Sequence, residues 1–211
     1  MQPLIQHEGV IVPLDRVNID TDALLPKQYL KSLEARGFGG FLLDNERYLD
    51  PGELDTPPGS RRENPQCILN APPYRHATVV LAQANFGCGS SREHAVWALR
   101  DFGIRVLLAP SFGDIFYNNC FGNGLLPIRL EQPVVDRLFA RCLASPGLRA
   151  GVDVARRELV VGDLRLEFAL DTGRQHNLLQ GLDDIAQTLA LAPAIRAYEV
   201  ARQRSEPWVF R

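Results

Sequence analysis

The segment Asn85-Phe86-Gly87-Cys88-Gly89-Ser90-Ser91-Arg92-Glu93-His94-Ala95 brings glycines, two hydroxyls and a guanidinium close together along the chain. Glycines let the backbone turn tightly and approach a ligand. Hydroxyls supply hydrogen bonds, and arginine offers a planar fork that fits a carboxylate or phosphate. The chemistry this pattern suits is the holding of an anion.

The flanks say where that happens. Ala77-Thr78-Val79-Val80-Leu81-Ala82 and Ile104-Arg105-Val106-Leu107-Leu108-Ala109 are short apolar, β-branched runs, the second ended by Pro110, and both read as strands. Between them Ala95, Ala98, Leu99 and Phe102 recur at helical spacing, and Gly103 follows as a C-terminal glycine. A strand, a glycine turn, a helix and a strand in that order imply neighbouring parallel strands. The turn then lies beyond the first strand's carboxyl end, where free N–H groups and the helix dipole favour a carboxylate or phosphate.

Other readings of the turn use only part of it. Gly87 and Gly89 begin a dinucleotide fingerprint, but Arg92 occupies its third glycine position and no acidic residue closes the second strand. The Gly-x-Ser-x-Gly of a hydrolase elbow is absent around Ser90. Ser90 and Glu93 have the spacing of a capping box, which has no use for Arg92 or for two glycines in three residues. An active-site loop accounts for all of them.

Gly89-Ser90-Ser91-Arg92-Glu93-His94-Ala95 resembles the signature of the swivelling domain of the aconitase superfamily, and two further segments agree in order and spacing. They are Asn18-Ile19-Asp20-Thr21-Asp22-Ala23-Leu24-Leu25-Pro26-Lys27-Gln28-Tyr29-Leu30-Lys31, and Ser111-Phe112-Gly113-Asp114-Ile115-Phe116-Tyr117-Asn118-Asn119 with Gly124-Leu125-Leu126-Pro127. Within that superfamily the length, Gly37-Phe38-Gly39 and the ending Gly181-Leu182-Asp183-Asp184-Ile185 are most similar to small subunits of the bacterial isopropylmalate branch. The resemblance covers nearly the whole chain. It implies an α/β fold, the swivelling β/β/α domain, as a single domain over residues 1–211.

The resemblance also implies an activity, that of a hydro-lyase moving a hydroxyl between adjacent carbons. In that branch it converts 2-isopropylmalate through isopropylmaleate to 3-isopropylmalate, in leucine biosynthesis. Ser90 matches the family's catalytic base and would act as an alkoxide, which requires N–H groups and a cation in a water-poor site. Gly87 and Gly89 shape the turn, and Gly89, the helix N-terminus and Arg92 would hold that alkoxide. Ser91 and Arg92 match substrate-carboxylate contacts, Thr21 and Asp22 the active-site end of the N-terminal motif, and Arg36 a second carboxylate contact. For Thr21 and Asp22 the competing reading is a turn that caps the next helix.

Lys27 and Lys31, the chain's only lysines, could meet an acidic substrate or form a solvated helix face. Phe38, Phe41, Leu42 and Leu43 could shield an isopropyl group or pin their loop to the core. Citraconate/2-methylmalate or homoaconitate chemistry, and carboxylate binding without chemistry, stay open as alternatives.

Cys67, Cys88, Cys120 and Cys142 are widely separated and form no C-x-x-C, so free thiols are expected and no metal site on this chain, with Cys88 a packing residue. The resemblance therefore places the family's [4Fe–4S] cluster on a large subunit, with the active site at the interface of a heterodimer or heterotetramer.

With 211 residues, 45% of them hydrophobic, the chain can bury a sizeable core. A net charge of −2 gives no footprint for nucleic acid or an anionic membrane. No leader-like start or long apolar span is visible, and a cytoplasmic location is expected. Elsewhere the pattern predicts an opening strand at 9–14, a short helix near 27–34, and a helix over 134–143. A hairpin over 159–161 and 164–170 closes at Gly162-Asp163, and a last helix spans 192–202 before a fraying tail. The polar, proline-rich stretch from Gly37 to Asn70, with Pro57-Pro58-Gly59, reads as a mobile part of a substrate-recognition loop over about 27–70.

Overall fold

Strand β1 (Gln6–Leu14) is where two kinds of sheet meet. Along the chain follow the single-turn helices α1 (Thr21–Leu24) and α2 (Asp44–Arg47), then β2 (Val79–Ala82), α3 (His94–Phe102) and β3 (Val106–Ala109). Next come α4 (Asp114–Gly122), β4 (Leu126–Arg129), α5 (Gln132–Ala144), and the strands β5 (Arg149–Asp153), β6 (Glu158–Val161) and β7 (Leu164–Glu167). The helices α6 (Thr172–Gln180), α7 (Asp184–Ala190) and α8 (Ala192–Ser205) complete the computed structural model, which describes residues 1–34, 36–57 and 59–210.

The seven strands lie in the order β4-β3-β2-β1-β5-β6-β7. On one side of β1 the pairings with β2, β3 and β4 are parallel; on the other, β5, β6 and β7 are antiparallel. All four residues of β2 and of β3 are buried, as expected of parallel strands covered on both faces. Val80 and Leu107 join a core with Ala95, Val96 and Leu99 of α3. Val79, Leu81, Val106 and Leu108 face the opposite way into a second core with Val135, Leu138 and Phe139 of α5. Pro127 is tolerated because β4 is an edge strand.

The predicted strand–turn–helix–strand unit is present, with β2 and β3 parallel. Gly103 ends α3 at φ 112, its N–H donating to the Arg100 carbonyl while Ile104 N–H donates to Leu99. The hairpin forms at Gly162 (φ 61), although β7 ends at Glu167 rather than 170. The helix predicted near 27–34 is a 3₁₀ turn over Lys27–Lys31, and the last helix continues to Ser205, beyond which Pro207–Phe210 form another turn. The short strands β4 and β5 and the helices α6 and α7 carry a weaker periodicity that does not single them out in the sequence.

The 37–70 stretch contains a 3₁₀ turn over Phe38–Phe41, then α2, then a turn over Ile68–Asn70; Pro58 lies outside the described residues. Phe38, Leu42, Leu43 and Leu69 are buried, and Phe41 stacks on Tyr29 at 4.0 Å between ring centroids. These side chains pin the segment against α3. Gly39 lies so close to that helix that a Cβ there would sit 2.5 Å from the Asp101 carbonyl.

Candidate active site

Three loops leave the carboxyl ends of β1, β2 and β3, and their backbones lock together. Gly87 N–H donates to Ile19 (2.7 Å), Thr21 N–H to Cys88 (2.9 Å), and Gly113 N–H to Phe86 (2.9 Å). The Asn85 side chain donates to Asn18 Oδ1 at 2.8 Å, and Asn85 N–H to Ser111 Oγ at 2.8 Å. The three motifs singled out in the sequence therefore meet at one place, beyond the ends of parallel strands, where α/β sheets tend to bind ligands.

The glycines are needed for two reasons. Gly87 and Gly89 have φ 73 and 99, in the left-handed region. A Cβ on Gly87 would also lie 2.2 Å from the Phe116 ring, which closes the core beneath the turn.

Ser90 stands at the centre. Its Oγ lies 3.1 Å from Thr21 Oγ1 and accepts from Arg92 Nε at 2.7 Å, with Arg92 N–H more distant at 3.4 Å. Thr21 is buried, and its Oγ1 also accepts the Ser90 N–H at 3.1 Å. With that lone pair used, an ionised Ser90 leaves the Thr21 proton directed at the serine oxygen. The guanidinium of Arg92 reaches onward to Asp22 Oδ1 at 2.5 Å.

This arrangement removes one competing reading and corrects one expectation. The capping box does not form, since Glu93 Oε1 instead accepts from the Asn123 side chain (2.5 Å) and no side chain caps α3. Because α3 starts at His94, after Ser90, the serine's hydrogen bonds come from Thr21 and Arg92 rather than from amides of the helix's first turn. The cap of α1 is Asp20, whose Oδ1 accepts from Ala23 N–H at 2.7 Å, so Thr21 and Asp22 are free for other work.

The remaining predicted residues divide. Ser91 and Gly89 are exposed at the rim of the turn. Arg36 is exposed too, but it is not brought to this cluster: its neighbour Gly37 donates to Asp101 Oδ2, about two turns along α3 from its first residue His94. Lys27 and Lys31 are exposed. Beside Ser90 a cavity of about 260 Å³ is lined by Gly87, Cys88, Gly89, Gly113, Asp114, Ile115 and Phe116.

Sequence reasoning missed several supports. His94 packs between Phe38 (5.6 Å, edge-on) and Trp97 (4.6 Å), and burial, then the Arg92 charge, hold its imidazole below the usual histidine range. Further off, Asp44 and Arg61 form a bidentate pair at 2.8 and 2.6 Å, Tyr29 donates to Asp44 at 2.8 Å, and the Tyr48 ring lies 3.8 Å from the guanidinium. Burial, then the bond to Asp44, push the Tyr29 hydroxyl well above its ordinary pKa.

The thiols do not fit an iron–sulfur cluster. Cys67, Cys120 and Cys142 are buried in the two cores and Cys88 is half-buried alone at the turn, its carbonyl accepting from Thr21. Burial raises the thiol pKa of the first three. Among the described residues, no three His, Cys, Asp or Glu side chains gather as a metal site.

Comparison with known proteins agrees with the fold. The profile of the aconitase C-terminal domain family matches residues 1–133, and the profile of the C-terminal domain of the 3-isopropylmalate dehydratase small subunit matches 184–211. A 3-isopropylmalate dehydratase small subunit of Marinobacter nauticus is 52% identical over 100% of this chain and 98% of its own length. One of Methylibium petroleiphilum is 54% identical over 99% and 97%. In fold, the chain is similar to a crystal structure of 3-isopropylmalate dehydratase from Methanocaldococcus jannaschii, with a TM-score of 0.64 and 22% identity over 92% of this chain and 99% of that one. The chain belongs to the aconitase C-terminal domain family, within its 3-isopropylmalate dehydratase small subunits.

Proposed function

We infer that this chain is the small subunit of a hydro-lyase that isomerises 2-isopropylmalate to 3-isopropylmalate by dehydration to isopropylmaleate and rehydration. The full-length identity to curated small subunits supports the activity. The observation that carries the residue roles is Ser90 Oγ held between Thr21 Oγ1 and Arg92 Nε.

In this reading Ser90, as the alkoxide, takes the weakly acidic C–H proton of the substrate and returns it to the neighbouring carbon on rehydration. A serine hydroxyl ionises far above neutral pH, so its anion must be met by donors already in place. Arg92 supplies charge and an N–H, and Thr21 a second donor from a buried position. Substrate carboxylate takes the remaining edge of the Arg92 fork and the Ser91 hydroxyl, with Asp22 holding the guanidinium in orientation. The 27–70 stretch, whose Phe38 packs on His94, contributes substrate recognition.

The rest of the site would belong to a large subunit bearing a [4Fe–4S] cluster, which would supply Lewis acidity for the leaving hydroxide. A cytoplasmic location suits this biosynthetic role, and among the described residues no helix is long and apolar enough to cross a membrane.

Mixing the chain with a cluster-loaded large subunit tests the reading, with turnover measured on 2-isopropylmalate, 2-methylmalate and homocitrate. The pair should favour 2-isopropylmalate, and each chain alone should be inactive. Isomerisation by this chain alone, or a pair preferring another substrate, would overturn it.

A further inference from the structure

The C-terminal end of the chain is built unlike the rest. Neither α7 nor α8 contains a buried residue, whereas α3, α4, α5 and α6 each bury at least one apolar side chain. Among the described residues, nine of the sixteen large apolar side chains that stand exposed fall between Ile185 and Phe210.

They are patterned. Leu191, Ile195 and Tyr198 recur at spacings of four and three, one stripe along α8 and the residue before it, and Ile185 and Leu189 repeat the four-residue spacing on α7. Trp208, 67% exposed, and Phe210 follow on the terminal turn. A helix the length of α8 is marginal in water by itself and draws its stability from packing an apolar face. Among the described residues, that face adds no member to either core.

Apolar exposure concentrated in this way marks an interaction site, and a stripe of aliphatic and aromatic side chains ended by a tryptophan suits the buried centre of an interface. The aconitase C-terminal domain profile ends at residue 133, while 184–211 has a profile particular to dehydratase small subunits. The segment thus goes with being a separate subunit.

We propose that residues 184–210 are the docking element that holds this chain on its large subunit, with Ile195, Tyr198 and Trp208 as anchors in an apolar groove of that partner. This rests on the small-subunit reading above. None of the three anchors hydrogen-bonds to Ser90 or lines the cavity beside it, so in this proposal they set affinity between the chains and not the chemical step.

The test measures the dissociation constant of the purified chain for its cluster-loaded large subunit, and turnover at saturating large subunit. The variant combines Ile195→Asp, Tyr198→Asp and Trp208→Asp, all at solvent-facing positions, and an unchanged melting temperature establishes that it folds. Its dissociation constant should rise about 100-fold, the scale of losing interface anchors, with saturated turnover within about threefold of wild type. A rise of tenfold or less overturns the proposal. So does an equal loss from Leu143→Asp, at a comparably exposed leucine on α5. So does a wild-type chain that dimerises by itself through this segment while the variant keeps its affinity for the large subunit. If the wild-type pair associates but does not turn over 2-isopropylmalate, the functional reading fails and the docking result still stands on the dissociation constants.

Discussion

Two arginine–aspartate pairs in this molecule use the same groups for opposite ends. Asp44 and Arg61 are 2% and 10% exposed, and the pair is closed by Tyr29, by the Tyr48 ring and by Gly52, where a Cβ would sit 2.2 Å from the guanidinium. Arg92 and Asp22 are 33% and 60% exposed, and the guanidinium spends one N–H on Ser90. The first pair has no room to exchange partners. The second can, because water already reaches it and part of its fork is unspent. Burial thus separates a closed clasp from a pair of the same chemistry that keeps donors to spare.

The largest expected effect comes from breaking the clasp. Arg61→Met leaves Asp44 buried without its cation, and such losses cost about 3–5 kcal/mol; urea denaturation should show it as a lower midpoint. Arg92→Lys tests the other side of the contrast. Surface pairs contribute about 0–1 kcal/mol, so stability should barely move. Yet lysine cannot bond Ser90 and a carboxylate through one planar fork, so kcat/KM of the reconstituted pair should fall about 100-fold or more. If both substitutions changed stability alike, the two pairs would not have different jobs.

A smaller effect lies beside the exposed pair. His94 is held below the ordinary histidine pKa by burial, then by Arg92, and His7 by burial, then by Arg105 and Arg149. The folded chain therefore binds fewer protons than the unfolded chain just below the unfolded value of about 6.5. Stability should be full above that pH and decline as pH falls through the depressed folded values. Denaturation midpoints at pH 7.5 and 5.5 measure the decline, which His7→Gln with His94→Gln should flatten.

The exposed pair's surroundings were legible in the sequence and the clasp was not. Gly87, Gly89, Ser90 and Arg92 lie within one turn, and β-branched runs with a helical repeat between them locate that turn at a strand's carboxyl end. Asp44 and Arg61 are 17 residues apart in a proline-rich stretch with no periodicity, so nothing local announces their contact. The donors to Ser90 were legible as residues but not as geometry. In the sequence Thr21 reads equally as an active-site residue and as a capping hydroxyl, and only the fold brings the loop after β1 against the turn after β2. The helices α6 and α7 escaped notice because they bury so little apolar surface that their pattern hardly departs from that of a loop.

The central claim is that Ser90 removes the substrate proton, and Ser90→Ala in the pair with the cluster-loaded large subunit tests it most directly. The account predicts that kcat falls by about 10³ or more, since a nucleophile or base that acts through its own oxygen has no substitute in alanine. The dissociation constant for 2-isopropylmalate should stay within about threefold, because Arg92 and Ser91 still face the carboxylate. A variant that keeps more than about a tenth of wild-type turnover would contradict the claim and assign the proton transfer to another group.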